Sequence, residues 1–472
     1  MAEQFAPLLC SSKKAIPMAS PAAPSRASEA RASDAQVGLA ARRAAADVLT
    51  AILVKKQPLD LTLGKSLSTG HMANLPPRDR ALTRAIVMAS LRHKGQLDAI
   101  LLRFLEKGFP PKSGTLYAIL LSAAAQLVLL ETPAHAAIDL AVTLTRYDAQ
   151  AKRFDKLANA VLRKVSQQGK ALADEMDAAK VNTPDWLWER WSRYYGEENT
   201  RAIAELNMLE PPLDLTVKSD PEGWAKRLDG HVLPGGGVRL IPKGRIEAIE
   251  GYDEGAWWVQ DLAASLPAKL FKDIAGKRVL DLCAAPGGKS AQLAAAGASV
   301  LALDISENRL KVLKENLKRL DLPCDTALGD AATWYSEERF DAILLDAPCS
   351  STGTIRRHPD IAYLKTEEDL PSMVNLQRRL LDNAAKLLKP GGTLVYSTCS
   401  LEPEEGEGQI ASLLSTHGRL HIDRIQPDEV FGHSAWITQT GTLRTLPPSF
   451  KMDAPELGGM DGFFAARLVL AS

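Results

Sequence analysis

Residues 279–289 read VLDLCAAPGGK, an apolar run of strand length that opens into a loop containing Cys, Pro and Gly. Two later stretches follow the same plan, AILLDAPC at 342–349 and TLVYSTCS at 393–400. Short apolar runs bounded by such residues are typical of buried parallel strands. Ligands of open α/β sheets bind at the carboxyl ends of these strands. The three loops are therefore predicted to meet at one site, to which Cys349 and Cys399 each bring a thiol.

The loop after the first strand has the composition of a cofactor loop. Pro286, Gly287 and Gly288 keep side chains away, so that a ligand can lie against the backbone. The pattern is not GxGxxG, which weakens the interpretation as a dinucleotide site. A second predicted strand ends at Asp304, about 20 residues further on, where a ribose diol is expected to bind.

Further acidic residues stand at successive strand ends. A third, weaker strand over residues 326–328 leads to Asp330, which could meet an adenine amino group, and Asp346 follows the next strand. A single Asp at a strand end is commonly a helix cap. Three in succession favour a cofactor that contains a nucleoside.

The two cysteines carry the sharper chemical signal. A buried structural cysteine is common, so either residue alone would indicate packing. Together, Cys349 and Cys399 suit nucleophilic attack on a pyrimidine ring. A thiolate that adds to carbon 6 of cytosine makes carbon 5 nucleophilic towards an electrophilic methyl group, and this requires a partly ionised thiol. Asp346, if protonated, is placed to hydrogen-bond nitrogen 3 and the amino edge of the base.

Length and composition bound the class of protein. A chain of 472 residues is too long for one core, so two to four domains are expected. Five cysteines, mostly in loops, indicate reduced thiols rather than a disulfide framework. Residues 116–130 are apolar but too short for a membrane span, and residues 5–10 are too short for a secretory signal. We expect a cytoplasmic protein without a membrane association, and we predict no metal site and no obligate protein partner.

The net charge of zero hides an asymmetry. Residues 39–165 hold 19 Lys and Arg against 9 Asp and Glu, a local net charge of +10, whereas residues 166–472 hold 34 against 45. A basic domain joined to a mildly acidic one suggests a polyanionic partner. A solvated basic surface would give the same count, and charge alone does not separate the two interpretations.

The hydrophobic pattern divides the chain into four parts. Residues 1–38 are rich in Ala, Ser and Pro, which predicts a disordered tail. Residues 39–169 read as a helical bundle around a central helix at 116–130. Residues 170–262 predict a long linker helix over 186–206 and a small α/β subdomain, in which Trp257 and Trp258 either stack on a base or are buried. Residues 263–472 form the α/β sheet domain.

Four stretches together make a specific resemblance, which covers roughly residues 39–472. They are DLCAAPGGK at 281–289, DAPCS at 346–350, RRHPD at 356–360 and YSTCS at 396–400. These stretches resemble the RNA cytosine-5 methyltransferases of the Sun (Fmu) family. The helical segments resemble the NusB-like RNA-binding domain, a combination typical of the RsmB type, which methylates small-subunit ribosomal RNA with S-adenosylmethionine.

The resemblance implies a fold and a set of roles. The fold is a Rossmann-like class I methyltransferase sheet preceded by an all-α NusB-like domain and a small α/β subdomain. Cys399 would be the nucleophile and Cys349 would assist product release. The S-adenosylmethionine site would be lined by Cys283, Ala284, Ala285, Pro286, Gly287, Gly288, Lys289, Asp304, Asp330 and Asp346.

One position departs from the family pattern. The family usually has Asn after residues 403–405, where this chain has Gly406. This difference puts the local hydrogen bonding under the nucleophile loop in question, though not the reaction.

Three functions remain open at this level. The first is methylation of carbon 5 of a cytosine in 16S ribosomal RNA, or in another ribosomal or transfer RNA. A non-enzymatic RNA-binding or antitermination factor is disfavoured by the intact pair of cysteines, and an NAD-linked oxidoreductase by the missing glycine motif. All the predicted chemistry lies beyond Arg278, so the chemical step is expected to need nothing from residues 39–165.

Overall fold

The amino-terminal domain is a bundle of helices around one apolar helix. The computed structural model describes the backbone of residues 26–472 apart from Lys243, and side chains from Gly38 onward. Nearly every residue of the helix over Leu116–Val128 is buried, which confirms the predicted central helix. The helices are α1 Arg26–Leu53, α2 Leu59–Ser68, α3 Pro77–Arg92, α4 Lys94–Phe104, α5 Leu116–Val128, α6 Ala134–Tyr147 and α7 Asp155–Asp174.

Both predicted ends of this domain fall inside helices. The tail expected at residues 1–38 lies outside the described residues up to position 25, and α1 begins at Arg26. Residues 26–37 include four Ala and two Arg, which have high helix propensity, and α1 begins within the segment for which a disordered tail was predicted. At the other end, α7 continues past Gly169 to Asp174.

The single long helix predicted over residues 186–206 of the linker is two helices in the structure. The break comes at Gly196, whose φ of +82° lies in the region that favours glycine and ends the first helix. The linker helices are α8 Ala178–Val181, α9 Asp185–Tyr195 and α10 Glu197–Met208.

The small subdomain that follows is an antiparallel sheet of order β2-β3-β1-β4 with one helix. Trp257 and Trp258 are buried at 0% and 6% exposure, so the packing interpretation of these aromatics is confirmed over base stacking. The elements are β1 Leu213–Val217, α11 Pro221–Arg227, β2 His231–Val232, β3 Gly237–Leu240 and β4 Trp257–Val259.

The third domain holds the predicted sheet, with strand order β10-β12-β9-β8-β5-β6-β7 and β11 paired to β12. Strands β5 to β9 are parallel, and β12 runs antiparallel to β9. The elements are α12 Leu262–Lys269, β5 Arg278–Leu282, α13 Gly288–Ala295, β6 Ser299–Asp304, α14 Glu307–Arg319, β7 Asp325–Leu328, β8 Phe340–Asp346, α15 Ile361–Leu364, α16 Leu370–Leu387, β9 Leu388–Thr398, α17 Glu407–Thr416, β10 Leu420–Ile422, β11 Leu443–Thr445 and β12 Phe463–Leu470.

The strand order locates the site. The chain winds outward from β5 through β6 to β7, then returns to the other side of β5 with β8 and β9. The strand order therefore reverses between β5 and β8, which is where open α/β sheets bind ligands. The loops after β5, β8 and β9 all leave from this edge, as the sequence predicted. Among the described helices, none has both the length and the apolarity to cross a bilayer.

Candidate active site

The loop after β5 approaches its surroundings closely at its glycines. Gly287, at the start of α13, has a φ of +101°, and a Cβ there would lie 2.9 Å from Leu313 Cγ. Cys283 also has a positive φ, +61°. Burial raises the pKa of the Cys283 thiol to about 12, so this cysteine stays protonated near neutral pH. The loop thus offers mainly backbone and an uncharged thiol to a ligand.

Asp304 holds this loop in place from the end of β6. Its carboxylate is 2% exposed and accepts the N–H of Ala285 at 3.1 Å and of Ser306 at 2.9 Å. Arg309 Nη1 lies 3.5 Å away. The cap of α14 is Ser306 rather than Asp304, since the Ser306 hydroxyl accepts the N–H of Arg309. Asp304 therefore contacts the glycine loop directly and does not serve as the cap of α14; its role in cofactor binding stays a prediction.

Asp330 has a more local role. Its Oδ1 accepts the N–H of Ala332 at 2.9 Å, and its backbone carbonyl accepts the N–H of Trp334. These contacts are those of an ordinary turn. The side chain is half-buried at the same sheet edge as Asp304, so the structure brings it to the site without giving it a contact to the glycine loop.

The loop region also contains groups that the sequence analysis missed. Ile305 directly follows Asp304 and is 69% exposed. Leu328 pairs with Asp304 across β6 and β7 and is 58% exposed. Exposed apolar side chains at strand ends offer a flat surface for a ring to cover. The signal available in the sequence was an Ile directly after the strand-end acid.

Asp281 is the least expected of these groups. It is fully buried within β5, its Oδ2 accepts the Ser290 hydroxyl at 2.5 Å, and its Oδ1 has no hydrogen-bond partner within the described part of the chain. Burial raises the pKa of Asp281 to about 7. An acid inside an apolar strand was visible in the sequence as Val279-Leu280-Asp281-Leu282. A buried, unpaired carboxylate oxygen is costly unless a ligand satisfies it.

Asp346, at the end of β8, is held from two sides. Lys289 Nζ lies 2.7 Å from its Oδ2, and the Ser397 hydroxyl donates to its Oδ1 at 2.9 Å. The Lys289 side chain is itself 11% exposed, and its Nζ lies 5.0 Å from the centre of the Phe463 ring. This ion pair links the glycine loop to the loop after β8.

The two cysteines meet as predicted. Cys349 Sγ lies 3.5 Å from Cys399 Sγ, and the Ser351 hydroxyl lies 3.5 Å from the sulfur of Cys399. The hydrogen bond from Cys349 lowers the pKa of the Cys399 thiol, helped by Ser351 and the charge of Lys289 and opposed by burial and Asp346. The same hydrogen bond, together with burial, raises the pKa of Cys349 well above its usual value. The thiolate form is therefore favoured at Cys399 and the thiol form at Cys349.

Gly406 makes room for an arginine beside the loop that follows β9 and carries Cys399. A Cβ at this position would lie 2.6 Å from Arg444 Nη2 and 2.8 Å from Phe464 Cγ. Arg444 donates through Nη1 to the carbonyl of Ser400 at 2.6 Å, and Glu407 holds its other nitrogens. The carbonyl of Ser400, next to Cys399, thus receives its hydrogen bond from Arg444 in β11.

A buried ion cluster follows the Cys349 loop. Arg356 is 2% exposed and pairs with both Asp261 and Asp461, and Arg357 pairs with Asp461 at 2.6 Å. Asp360 then accepts the backbone N–H of Leu59, from the helical domain, at 2.8 Å. The RRHPD stretch thus joins the two domains next to the thiols, a role that no local pattern indicated.

The strand order, the glycine loop and the acids at the ends of β6 and β8 define a class I methyltransferase domain. A family model described as "16S rRNA methyltransferase RsmB/F" matches residues 269–469, and a model of the NusB family matches residues 39–167. The chain belongs to the RsmB/F family of 16S rRNA methyltransferases, with an amino-terminal NusB domain.

Two relatives can be aligned with this chain over most of its length. Ribosomal RNA small subunit methyltransferase B of Cronobacter sakazakii is 35% identical over 434 residues, which cover 86% of this chain and 95% of that protein. The protein of the same name from Photorhabdus laumondii is 35% identical over 435 residues, with the same coverage.

Solved structures show the same fold. The crystal structure of PH0851 superposes with a TM-score of 0.72 at 23% identity, covering 90% of this chain and 98% of that chain. That of NSun6 from Pyrococcus horikoshii with SFG gives a TM-score of 0.52 at 19% identity, covering 61% of this chain and 98% of that chain. The predicted fold class is confirmed.

Proposed function

We propose that this protein transfers a methyl group from S-adenosylmethionine to carbon 5 of a cytosine in 16S ribosomal RNA, through a covalent bond between Cys399 and the base. The observation that carries this proposal is the pair of thiols 3.5 Å apart, of which one is favoured as thiolate and the other as thiol. The names of the relatives support small-subunit ribosomal RNA as the substrate.

The residues around the glycine loop fit S-adenosylmethionine. The unpaired Oδ1 of Asp281 offers an acceptor for a cationic group, and the Asp304 carboxylate offers one for a ribose hydroxyl. The exposed surface of Ile305 and Leu328 suits an adenine ring. Residues 283–289 with Asp330 complete the proposed site. S-adenosylmethionine, when bound, supplies an electrophilic methyl group.

Cys399 activates the cytosine. Its thiolate adds to carbon 6, which places electron density on carbon 5, the atom that receives the methyl group. The proton on carbon 5 must then leave, and the bond between carbon 6 and sulfur must break. These two events restore the aromatic ring and return Cys399 to its thiolate form.

Cys349 takes up that proton. The hydrogen bond to Cys399 is the largest cause of the raised pKa of Cys349. Once Cys399 is bonded to carbon 6, its sulfur is a thioether and that cause is removed, so Cys349 ionises more readily. Cys349 then gives its own proton to solvent, and the resulting thiolate takes the proton from carbon 5.

Asp346 orients the base through its carboxylate. Because Lys289 pairs with this carboxylate, Asp346 acts as an acceptor rather than as the protonated donor that the sequence suggested. It would accept a hydrogen from the cytosine amino group, and one from nitrogen 3 once that nitrogen gains a proton. The contact to nitrogen 3 exists only in the adduct, so it stabilises the adduct relative to the free base.

The helical domain supplies affinity for RNA. Its local charge of +10 acts on phosphates, and the proposed RNA-binding unit is residues 39–169. The subdomain of residues 170–262 connects it to the methyltransferase domain of residues 263–472.

The test is to map 5-methylcytosine in 16S ribosomal RNA from a strain that lacks the gene, before and after incubation with the purified protein and S-adenosylmethionine. We expect one cytosine in small-subunit RNA to gain the methyl group. The Cys399→Ala protein is the control that should add none. Methylation confined to another RNA, or to another atom of the base, would refute the proposal.

A further inference from the structure

The carboxylate of Glu405 lies buried between the two cysteine loops. Its exposure is 0%, and neutral donors surround it. Oε1 accepts the N–H of Ser350 at 2.9 Å and Gln377 Nε2 at 2.9 Å, and Oε2 accepts the Ser400 hydroxyl at 2.6 Å as well as the Ser350 hydroxyl. One side chain therefore ties together three separate segments of the chain.

Two of these segments carry the thiols. Ser350 follows Cys349 and Ser400 follows Cys399, and the two serine hydroxyls also lie 2.9 Å apart. The third segment is α16. It holds the Cys349 loop at a second point, because Gln377 Nε2 also donates to the carbonyl of Pro348 at 2.9 Å. Glu405 itself is held by the Tyr396 hydroxyl, which donates to its backbone carbonyl at 2.7 Å.

A carboxylate accepts all of these hydrogen bonds at once. A buried carboxylate is costly to desolvate, and a Gln of the same shape would be cheaper to bury. An amide, however, has one acceptor oxygen and two donor hydrogens, whereas both oxygens of Glu405 face donors. A Gln at this position would require the Ser350 and Ser400 hydroxyls to turn and accept from its amide nitrogen. Two charge-assisted hydrogen bonds would then be replaced by weaker neutral ones, which loosens both anchors.

We propose that Glu405 is a positioning residue that holds Cys349 and Cys399 in contact by anchoring the residue that follows each of them. This proposal rests on the division of roles between the two thiols proposed above. Glu405 touches neither cysteine through a hydrogen bond, so it acts through Ser350 and Ser400. Its charge also contributes to the raised pKa of Cys349.

Glu405→Gln tests the proposal in the methyl-transfer assay. We expect kcat to fall by roughly 100-fold, the loss expected when reacting groups move by about 1 Å. The KM for S-adenosylmethionine should change little, because the glycine loop makes no contact with Glu405. Glu404→Gln is the matched control: its carboxylate pairs with Arg190 instead, and transfer should stay at the wild-type rate. Wild-type kcat in Glu405→Gln would overturn the proposal.

A second measurement reports the thiol geometry without RNA or cofactor. Diamide takes two hydrogens from a pair of adjacent thiols and leaves a disulfide, and peptide mapping identifies the Cys349–Cys399 bond. We expect Glu405→Gln to form this bond about tenfold more slowly than wild type. Equal rates would overturn the proposal. If wild type forms the bond but methylates no cytosine, the proposed function has failed and the positioning role still stands.

Ser400→Ala keeps the proposal testable if Glu405→Gln unfolds. Removing this hydroxyl deletes one anchor with little change in volume, and its melting temperature separates misfolding from mispositioning. Ser400 acts through the same carboxylate. The double variant Ser400→Ala with Glu405→Gln should therefore transfer methyl groups no more slowly than Glu405→Gln alone. Losses that multiply in the double variant would contradict a shared anchor.

Discussion

At the scale of single residues, the proton shared between Cys349 and Cys399 makes two similar thiols chemically different. Both lie beside Ser351, but the proton of the pair is favoured on Cys349. Two substitutions to Ala should therefore have opposite consequences for the covalent adduct.

Cys399→Ala should abolish methyl transfer, because no other thiolate is placed to add to carbon 6. Binding of S-adenosylmethionine should be nearly unchanged, since Cys399 lies outside the glycine loop. Transfer of radiolabelled methyl groups and calorimetric binding measure the two quantities. Cys324→Ala, a cysteine near the start of β7, is the matched control and should retain transfer. Substantial residual activity in Cys399→Ala would mean that the nucleophile is another group.

Cys349→Ala should trap RNA on the protein. Cys399 can still add to the base, but the group that removes the proton from carbon 5 is gone. Loss of the hydrogen bond from Cys349 also raises the pKa of Cys399, so alkylation of Cys399 by iodoacetamide should shift to higher pH. A denaturing gel that shows no RNA-dependent shifted band, or an alkylation profile that matches wild type, would contradict this assignment.

Asp281 makes cofactor binding depend on pH. Its pKa, raised to about 7 by burial, lies above that of an unfolded Asp, so the folded protein holds the proton more tightly. The stability that Asp281 contributes is therefore full below about pH 4 and is lost as pH rises through 7. A cationic ligand beside Oδ1 favours the carboxylate, so affinity for S-adenosylmethionine should rise about tenfold between about pH 6 and pH 8, with release of a proton.

Calorimetry in two buffers of different ionisation enthalpy measures this proton release. The matched variant is Asp281→Asn, which should bind more weakly and show a flat pH profile. Equal pH profiles in wild type and Asp281→Asn would show that the proton belongs to another group.

At the scale of elements, the start of α17 and strand β11 meet beside the Cys399 loop through Gly406 and Arg444. Gly406→Asn would place the residue usual in the family where Arg444 already lies, since even a Cβ would meet the guanidinium at 2.6 Å. We expect this variant to lose about 1–3 kcal/mol of stability by overpacking. Arg444→Ala should lower transfer by freeing the carbonyl of Ser400.

The double variant Gly406→Asn with Arg444→Ala should recover part of both losses, because the amide side chain then has the space left by the guanidinium. Melting temperature and transfer rate are the measurements. A double variant that is worse than either single variant would show that the two residues do not exchange roles.

Elements were predicted well where their signal is local. Strand β5, strand β6 and helix α5 follow directly from apolar runs, and the acids at the strand ends fall where the sheet topology places them. The break at Gly196 was missed because the apolar pattern continues on both sides of it. Glu405 and Arg444 could not be predicted as parts of the site, since their partners Ser350 and Ser400 are brought to them only by the tertiary fold.

At the scale of the whole molecule, the helical domain touches the segment that follows Cys349. Lys56 donates to the carbonyl of Tyr363 at 3.1 Å, and the Tyr363 hydroxyl donates to the carbonyl of Leu91 at 3.0 Å. With the contact between Asp360 and the N–H of Leu59, these bonds fix α15 against the helical domain. We therefore propose that the helical domain, besides binding RNA, supports the segment that follows Cys349, although the sequence led us to expect that the chemical step needs nothing from residues 39–165.

Two sets of variants separate these contributions. Neutralising the exposed Lys152 and Lys156 to Gln should weaken RNA binding and flatten its log–log salt dependence by roughly 0.7 for each phosphate that is no longer neutralised, with kcat unchanged. Tyr363→Phe removes the hydroxyl bonds to the helical domain while leaving the charge untouched, so kcat should fall and the salt slope should stay the same.

Removing residues 39–165 combines both losses, and saturating RNA should then fail to restore wild-type turnover. Full recovery of turnover at saturating RNA would show that the domain supplies affinity alone.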